Sequence, residues 1–185
     1  KRDYGYELDG LIVKGTGHPP APMVDAGKVL ADVVRLIKGD RYRSRLISKI
    51  MFGAYNKRIK NVRTVNDWLT RDEAVVDEYN AGKLTTFLFT VNGYRGLMNM
   101  ILYVRKPRNI ERIPKNLPML MISGLDDPVG DYGKGVYRAY NSYHGLIDDI
   151  DLRLYEDCRH ELCNELNKEE IYEEIYGWIM NHMSK

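Results

Sequence analysis

The hydrophobic and polar positions divide the chain into two regimes. Residues 8–16, Leu-Asp-Gly-Leu-Ile-Val-Lys-Gly-Thr, have a compact apolar centre closed by glycine and threonine, which predicts a short buried strand. A turn-rich loop, Gly17-His18-Pro19-Pro20-Ala21-Pro22, follows. The pattern then turns helical. Val29, Leu30, Val33, Val34, Leu36 and Ile37 recur at helical spacing, predicting a helix over 25–38, capped by Asp25 and stopped by Gly39. A shorter helix is predicted over 43–52. Residues 53–82 are polar and irregular, but Thr70 and Glu73 match a capping box, so a helix should start near Arg71. Another helix is predicted over 88–104, with Leu88, Val91, Leu97, Ile101 and Leu102 sharing a face.

After Pro107 the pattern changes. The apolar run at 118–123 predicts a strand, 133–147 a helix carrying Val136, Tyr137, Tyr140, Tyr143 and Leu146, and 150–155 a second strand. Residues 167–183 predict a last helix, capped by Asn167, with Ile171, Ile175, Trp178 and Ile179 on its inner face. Strand, helix, strand and helix with short links argue a parallel sheet covered by helices. Residues 1–22 and 107–185 thus read as one α/β core, and 23–106 as a helical insertion between two of its strands. Such an insertion stands where strand C-termini open, the place for a substrate-covering lid. A buried parallel strand needs partners on both sides. The strand at 8–16 starts almost at Lys1, so an upstream piece of the same protein, or another chain, is expected to cover its apolar edge.

Composition narrows the class of partner. Hydrophobic residues are 44%, charged residues 29%, and the net charge is +2. That balance gives no reason to expect nucleic acid or an anionic membrane surface as partner. No stretch of eighteen apolar residues predicts a transmembrane helix. The two cysteines, Cys158 and Cys163, flank His160. One Cys-x-His-x-x-Cys cluster without a second ligand group falls short of a zinc site. They read as reduced thiols of a cytoplasmic protein, and neither metal nor cofactor is expected.

The chemistry concentrates after the two later strands. The run Pro118–Gly124 leads into Leu125-Asp126-Asp127-Pro128-Val129-Gly130, and His160 follows Asp127 by 33 positions, in a polar turn past Asp151-Leu152-Arg153-Leu154-Tyr155. An acid after one strand and a histidine after the next are two thirds of a hydrolase triad. Asp127, with Asp126 as its rival, would orient His160. A turn aspartate bonding its own backbone is the ordinary alternative. His18, His144 and His182 read as structural or exposed. Ser123 lies within a strand, and no Gly-x-Ser-x-Gly occurs in the chain. Cys158 has no positive pocket to activate it and reads as inert. Met51, Phe52, Tyr55, Trp68, Phe87, Phe89, Tyr94, Met98, Met100 and Tyr103 give the insertion large apolar groups. Most should pack its own core and a minority should face a pocket. Lys57, Arg58, Lys60 and Arg63 read as a solvated face, with attraction of an anionic headgroup as the lesser alternative.

Five segments carry a resemblance: Glu7–Gly17, Phe52-Gly53-Ala54-Tyr55-Asn56, Asp67-Trp68-Leu69-Thr70-Arg71-Asp72, Ser123–Gly130 and Tyr155–Glu165. Together they resemble the α/β-hydrolase fold, in particular the monoacylglycerol lipase/lysophospholipase group, which is serine aminopeptidase S33-like. The resemblance implies the C-terminal part of an α/β-hydrolase parallel sheet with an inserted helical cap, Asp127 as the acid and His160 as the base. It places the nucleophile elbow and the first oxyanion loop upstream of Lys1. The serine would lie a helix's length away, roughly 15–20 residues, and these residues alone would be inactive. The implied substrate is a lipid-like carboxylic ester, a lysophospholipid or monoacylglycerol. The alternatives are an aminopeptidase-like or small-acyl esterase of the same fold, and a non-catalytic interaction domain. Ala81-Gly82-Lys83-Leu84-Thr85 departs from the acidic, proline-containing cap turn of the group.

Overall fold

A computed structural model describes residues 5–183. Three parallel strands form its sheet in the order β1 (Leu11–Lys14), β2 (Met119–Gly124) and β3 (Ile150–Tyr155). Leu11 pairs with Met119, and Met119 with Ile150, so all three strands point their C-terminal ends the same way. The unbroken apolar run of β2 has a direct cause: it is the central strand, and every one of its residues is buried.

Alternate side chains of β2 enter opposite faces. Met119 and Met121 pack with Ala139 of α6 (Lys134–Tyr143), Ile147, and Ile110 of the short α5 (Pro107–Ile110). Leu120 and Ile122 pack with Leu162, and with Ile171 and Trp178 of α7 (Lys168–His182). Each such side chain contributes about 1.5–3 kcal/mol over exposure. Between β1 and β2 lie α1 (Ala21–Lys38), α2 (Arg45–Phe52), α3 (Glu73–Ala81) and α4 (Val91–Val104). Val24, Ala31, Ile47, Val91, Tyr94 and Met98 form a core of their own within this helical segment. Among the described residues, the other edge of β1 pairs with no strand.

Several boundaries differ from the sequence reading, each for a local reason. α1 begins at Ala21 and not at Asp25, because Pro22 occupies the first turn, where its missing N–H removes no helical bond. The first strand contracts from 8–16 to Leu11–Lys14: Gly10 abuts the Trp178 ring, and Gly15 turns the chain with φ +59°. The cap of α3 is Asp72, whose carboxylate accepts from the N–H groups of Ala74 and Val75. Thr70, the expected cap, instead accepts from the Asp72 N–H and donates to the Asn164 carbonyl. α4 starts at Val91 behind Thr90, leaving Phe87 and Phe89 in the preceding loop. α6 ends at Tyr143, so His144 caps it instead of lying within it.

Candidate active site

β2 ends at Gly124, and the chain turns at once. The Leu125 N–H reaches the Tyr155 carbonyl at 2.9 Å, and the Asp126 N–H reaches the Cys158 carbonyl at 2.9 Å. These bonds bind the loop after β2 to the loop after β3. Asp127 follows, fully buried. Its two oxygens are divided: Oδ1 accepts from the Val129 N–H at 2.8 Å, while Oδ2 lies 2.9 Å from His160 Nδ1. The turn bond and the contact with His160 are therefore made together, by different oxygen atoms. The Ser123 hydroxyl donates to Oδ2 at 3.4 Å. Asp126 is exposed, and the carboxylate at His160 is that of Asp127.

The segment after Asp127 is strained. Asp131 and Tyr132 have φ of 50° and 54°, and Gly133 follows at 85°, three consecutive left-handed residues. Each of the first two costs about 1–3 kcal/mol. Outside contacts hold them there: Arg138 pairs with Asp131 at 2.9 Å, and the Arg58 guanidinium lies 3.6 Å from the centre of the Tyr132 ring.

His160 stands on a turn fitted closely over the strand ends. A β-carbon on Gly15 would come within 3.0 Å of its Cε1. The imidazole stays partly exposed, and its other side meets Trp68, ring centres 5.2 Å apart. Trp68 meets Tyr55 edge-on at 4.9 Å, and Tyr55 meets Phe52 at 5.5 Å. A file of aromatic rings thus runs from the helical segment to the histidine. Burial, then the negative charge of Asp127, pushes the Tyr55 hydroxyl up to about 12. With Nδ1–H donated to Asp127, His160 Nε2 keeps a lone pair for a proton from an attacking hydroxyl.

Other candidates fall to structural roles. Cys158 is buried and donates to Asn167 Oδ1 at 3.3 Å; burial and then Glu165 push its thiol up, against the opposing pull of Arg71. Burial thus favours the neutral thiol, although the Arg71 guanidinium lies 3.7 Å from its sulfur, a positive neighbour that the sequence did not suggest. Cys163 is partly exposed and unpaired with Cys158. Among the described residues, no three His, Cys, Asp or Glu side chains gather to hold a metal ion. His18 Nε2 faces Arg105 at 2.7 Å. His144 packs on Tyr140, and His182 stacks on Trp178 with Nε2 3.2 Å from Asp149. In the basic run, Arg63 pairs with Asp77 and Glu73, Arg58 rests on Tyr132, and Lys57 and Lys60 are exposed. Of the apolar residues named earlier, Tyr94 and Met98 are core, whereas Phe87, Phe89, Met100 and Tyr103 are exposed.

Sequence reasoning missed two residues of this neighbourhood, Arg71 and Glu165. Glu165 is a fully buried carboxylate paired with Arg71 at 2.8 Å. The only sequence signal was their presence at the edges of two segments with family likeness.

A buried carboxylate after the central parallel strand, in contact with a histidine after the next, is the arrangement that the acid and base of an α/β-hydrolase take. The chain matches the family described as serine aminopeptidase, S33, over residues 2–167, and it belongs to that family. A comparison with curated proteins gave no match. Among solved structures, the chain is similar to a thermostable carboxyl esterase from Bacillus coagulans in complex with glycerol, at 23% identity and a TM-score of 0.85, covering 98% of this chain and 60% of that one. It is also similar to the monoglyceride lipase of Saccharomyces cerevisiae, as a soluble variant with a substrate analogue, at 18% identity and a TM-score of 0.68, covering 98% and 60%. A third is the monoacylglycerol lipase of Paleococcus ferrophilus, at 18% identity and a TM-score of 0.65, covering 98% and 63%. At these identities the likeness establishes the fold, and the chain spans about 60% of the esterase's length.

Proposed function

We propose that the protein containing this chain is a serine hydrolase of carboxylic esters, acting on monoacylglycerols or lysophospholipids. The observation that carries the reading is the 2.9 Å contact between His160 Nδ1 and the buried Asp127 Oδ2. In this reading the serine and the oxyanion donors come from the remainder of the hydrolase fold, outside this sequence. The serine attacks the ester carbonyl while His160 Nε2 takes its proton. Asp127 stabilises the imidazolium so formed, and His160 then returns the proton to the leaving alcohol. Residues 23–106 act as the cap, and Phe52, Tyr55 and Trp68 form the wall along which an acyl chain approaches His160. No step calls on a metal or cofactor. Two unpaired thiols fit a cytoplasmic setting, and among the described residues no helix is long and apolar enough to cross a membrane.

The family's description raises an aminopeptidase reading, which needs an acidic group to meet a free amine. Two acids of the helical segment are otherwise engaged: Asp72 caps α3, and Asp77 holds Arg63. That favours the ester. The test is His160→Ala in the protein carrying this chain, assayed on an acyl-ester panel and on amino-acyl amides. Ester turnover lost with His160, and absent on amides throughout, is the expected result. Undiminished ester turnover in His160→Ala would overturn His160 as the base, and no turnover by the unaltered protein on either panel would leave an interaction domain as the reading.

A further inference from the structure

We propose that the Arg71–Glu165 ion pair is a positioning unit for His160, locking the turn that carries the base onto residues 67–71. The inference rests on the hydrolase reading above and extends it.

Glu165 is fully buried and holds both sides of the junction. Its Oε1 accepts from the Arg159 backbone N–H at 2.8 Å, one residue before His160. Its Oε2 accepts from Arg71 Nε at 2.8 Å. Arg71 Nη2 reaches Asn167 Oδ1 at 2.8 Å, on the far side of the same turn. The Arg159 side chain crosses back, with Nη1 donating to the carbonyls of Asp67 at 2.6 Å and Thr70 at 3.0 Å. Backbone bonds finish the seam: the Glu161 N–H to the Leu69 carbonyl at 2.7 Å and the His160 N–H to the Trp68 carbonyl at 3.4 Å. The Thr70 hydroxyl adds a bond to the Asn164 carbonyl at 2.7 Å.

Both sequence neighbours of His160 are therefore bonded to residues 67–71, and its ring lies between Trp68 and Asp127. Asp67 shapes the receiving 3-10 turn from within, accepting from the Thr64 hydroxyl and the Arg63 N–H. A buried ion pair is seldom a source of net stability, and its better-attested use is to fix one geometry. Here the fixed geometry is that of the base. One consequence is that residues 67–71 move with His160, so substrate entry must use other parts of the helical segment. Misplacing a reacting group by about 1 Å can cost 10²-fold in rate, which sets the scale of the expected effect.

The experiment compares Glu165→Gln, Thr70→Val, the charge-free pair Arg71→Met with Glu165→Leu, and His160→Ala, all in the protein carrying this chain. Each is measured for kcat and KM on a short-chain p-nitrophenyl ester, for Tm, and for the low-field proton resonance of the His160–Asp127 hydrogen bond. Glu165→Gln should lower kcat by about 10²-fold with KM within about twofold, and shift or broaden that resonance. Thr70→Val keeps the ion pair and should fold, with kcat falling a few-fold in the same direction. The charge-free pair should recover Tm but not kcat. Folded variants with wild-type kcat and an unmoved resonance would overturn the proposal, as would losses tracking only the unfolded fraction. Turnover surviving in His160→Ala would instead overturn His160 as the base, the reading on which this proposal rests, so the two failures are distinguishable.

Discussion

Gly124 lies directly beneath Cys158: a β-carbon on it would come within 2.0 Å of the Cys158 carbonyl oxygen and 2.4 Å of that of Arg159. The end of the central strand and the turn carrying His160 thus touch backbone to backbone, with no room for a side chain. That approach is what lets Asp127, three residues on, reach the imidazole. Gly124→Ala should destabilise the protein by about 3 kcal/mol, the upper range for overpacking, because the obstructing atoms are main chain. Gly96→Ala is the control. Gly96 is inside α4, and an added β-carbon there meets nothing within 4 Å. It should stabilise by about 0.5–1 kcal/mol through helix propensity. Urea unfolding of both variants checks the pair, and equal effects would refute the contact argument.

Asp127 and Asp126 differ more than their adjacency suggests. Asp127→Asn can still accept from the Val129 N–H, so the turn should survive. What it loses is the negative charge at His160 Nδ1 and the tautomer it selects. The expected fall in kcat is about 10⁴-fold, the scale known for this change in a serine protease triad. Asp126→Asn alters an exposed side chain and should leave kcat within about twofold. Steady-state kinetics on one ester substrate separate the two, and a comparable loss in Asp126→Asn would unseat Asp127 as the acid.

Much of the sheet was legible in the sequence because β2 is buried on both faces, and burial writes itself as an unbroken apolar run. The meeting of Asp127 with His160 could be anticipated because each follows a readable strand. What escaped was decided by contacts distant in sequence. Thr70 fits a capping box, yet its hydroxyl is drawn to the Asn164 carbonyl, and Asp72 caps α3 in its place. Arg71 and Glu165 stand in two separate segments of family likeness, and only folding brings them together across 94 positions. The start of α1 was hidden because prolines suit both a loop and a first helical turn. Short-range patterns reported elements well and could not report which polar group meets which.

Tyr55 supplies a test in alkali. Its hydroxyl is pushed up to about 12, chiefly by burial. In the unfolded chain it ionises near pH 10. Between about pH 10 and 12 the unfolded state has lost a proton that the folded state keeps, so stability falls as pH rises through that window. Tyr55→Phe removes this contribution. Its unfolding free energy relative to wild type should therefore improve from pH 9.5 to pH 11.5, read from urea midpoints. A constant difference would mean that Tyr55 is less shielded than its surroundings indicate.

His18 makes the opposite case in acid. It lies in the loop joining β1 to α1, with Nε2 2.7 Å from Arg105 and its carbonyl accepting from Arg138 Nε at 3.1 Å. Burial first, and then the charges of Arg105 and Arg138, hold its proton affinity below the ordinary value. In the unfolded chain the ordinary value of about 6.5 applies. As pH falls below that value, the unfolded state takes up a proton that the folded state resists, and stability declines until the folded state is also protonated. His18→Gln keeps an acceptor for Arg105 and cannot titrate. Its urea midpoint should fall less between pH 7.5 and pH 5.5 than that of the wild type. Parallel declines in the two proteins would show that His18 is protonated at no cost to the fold, and that the β1–α1 loop is not held by its neutral form.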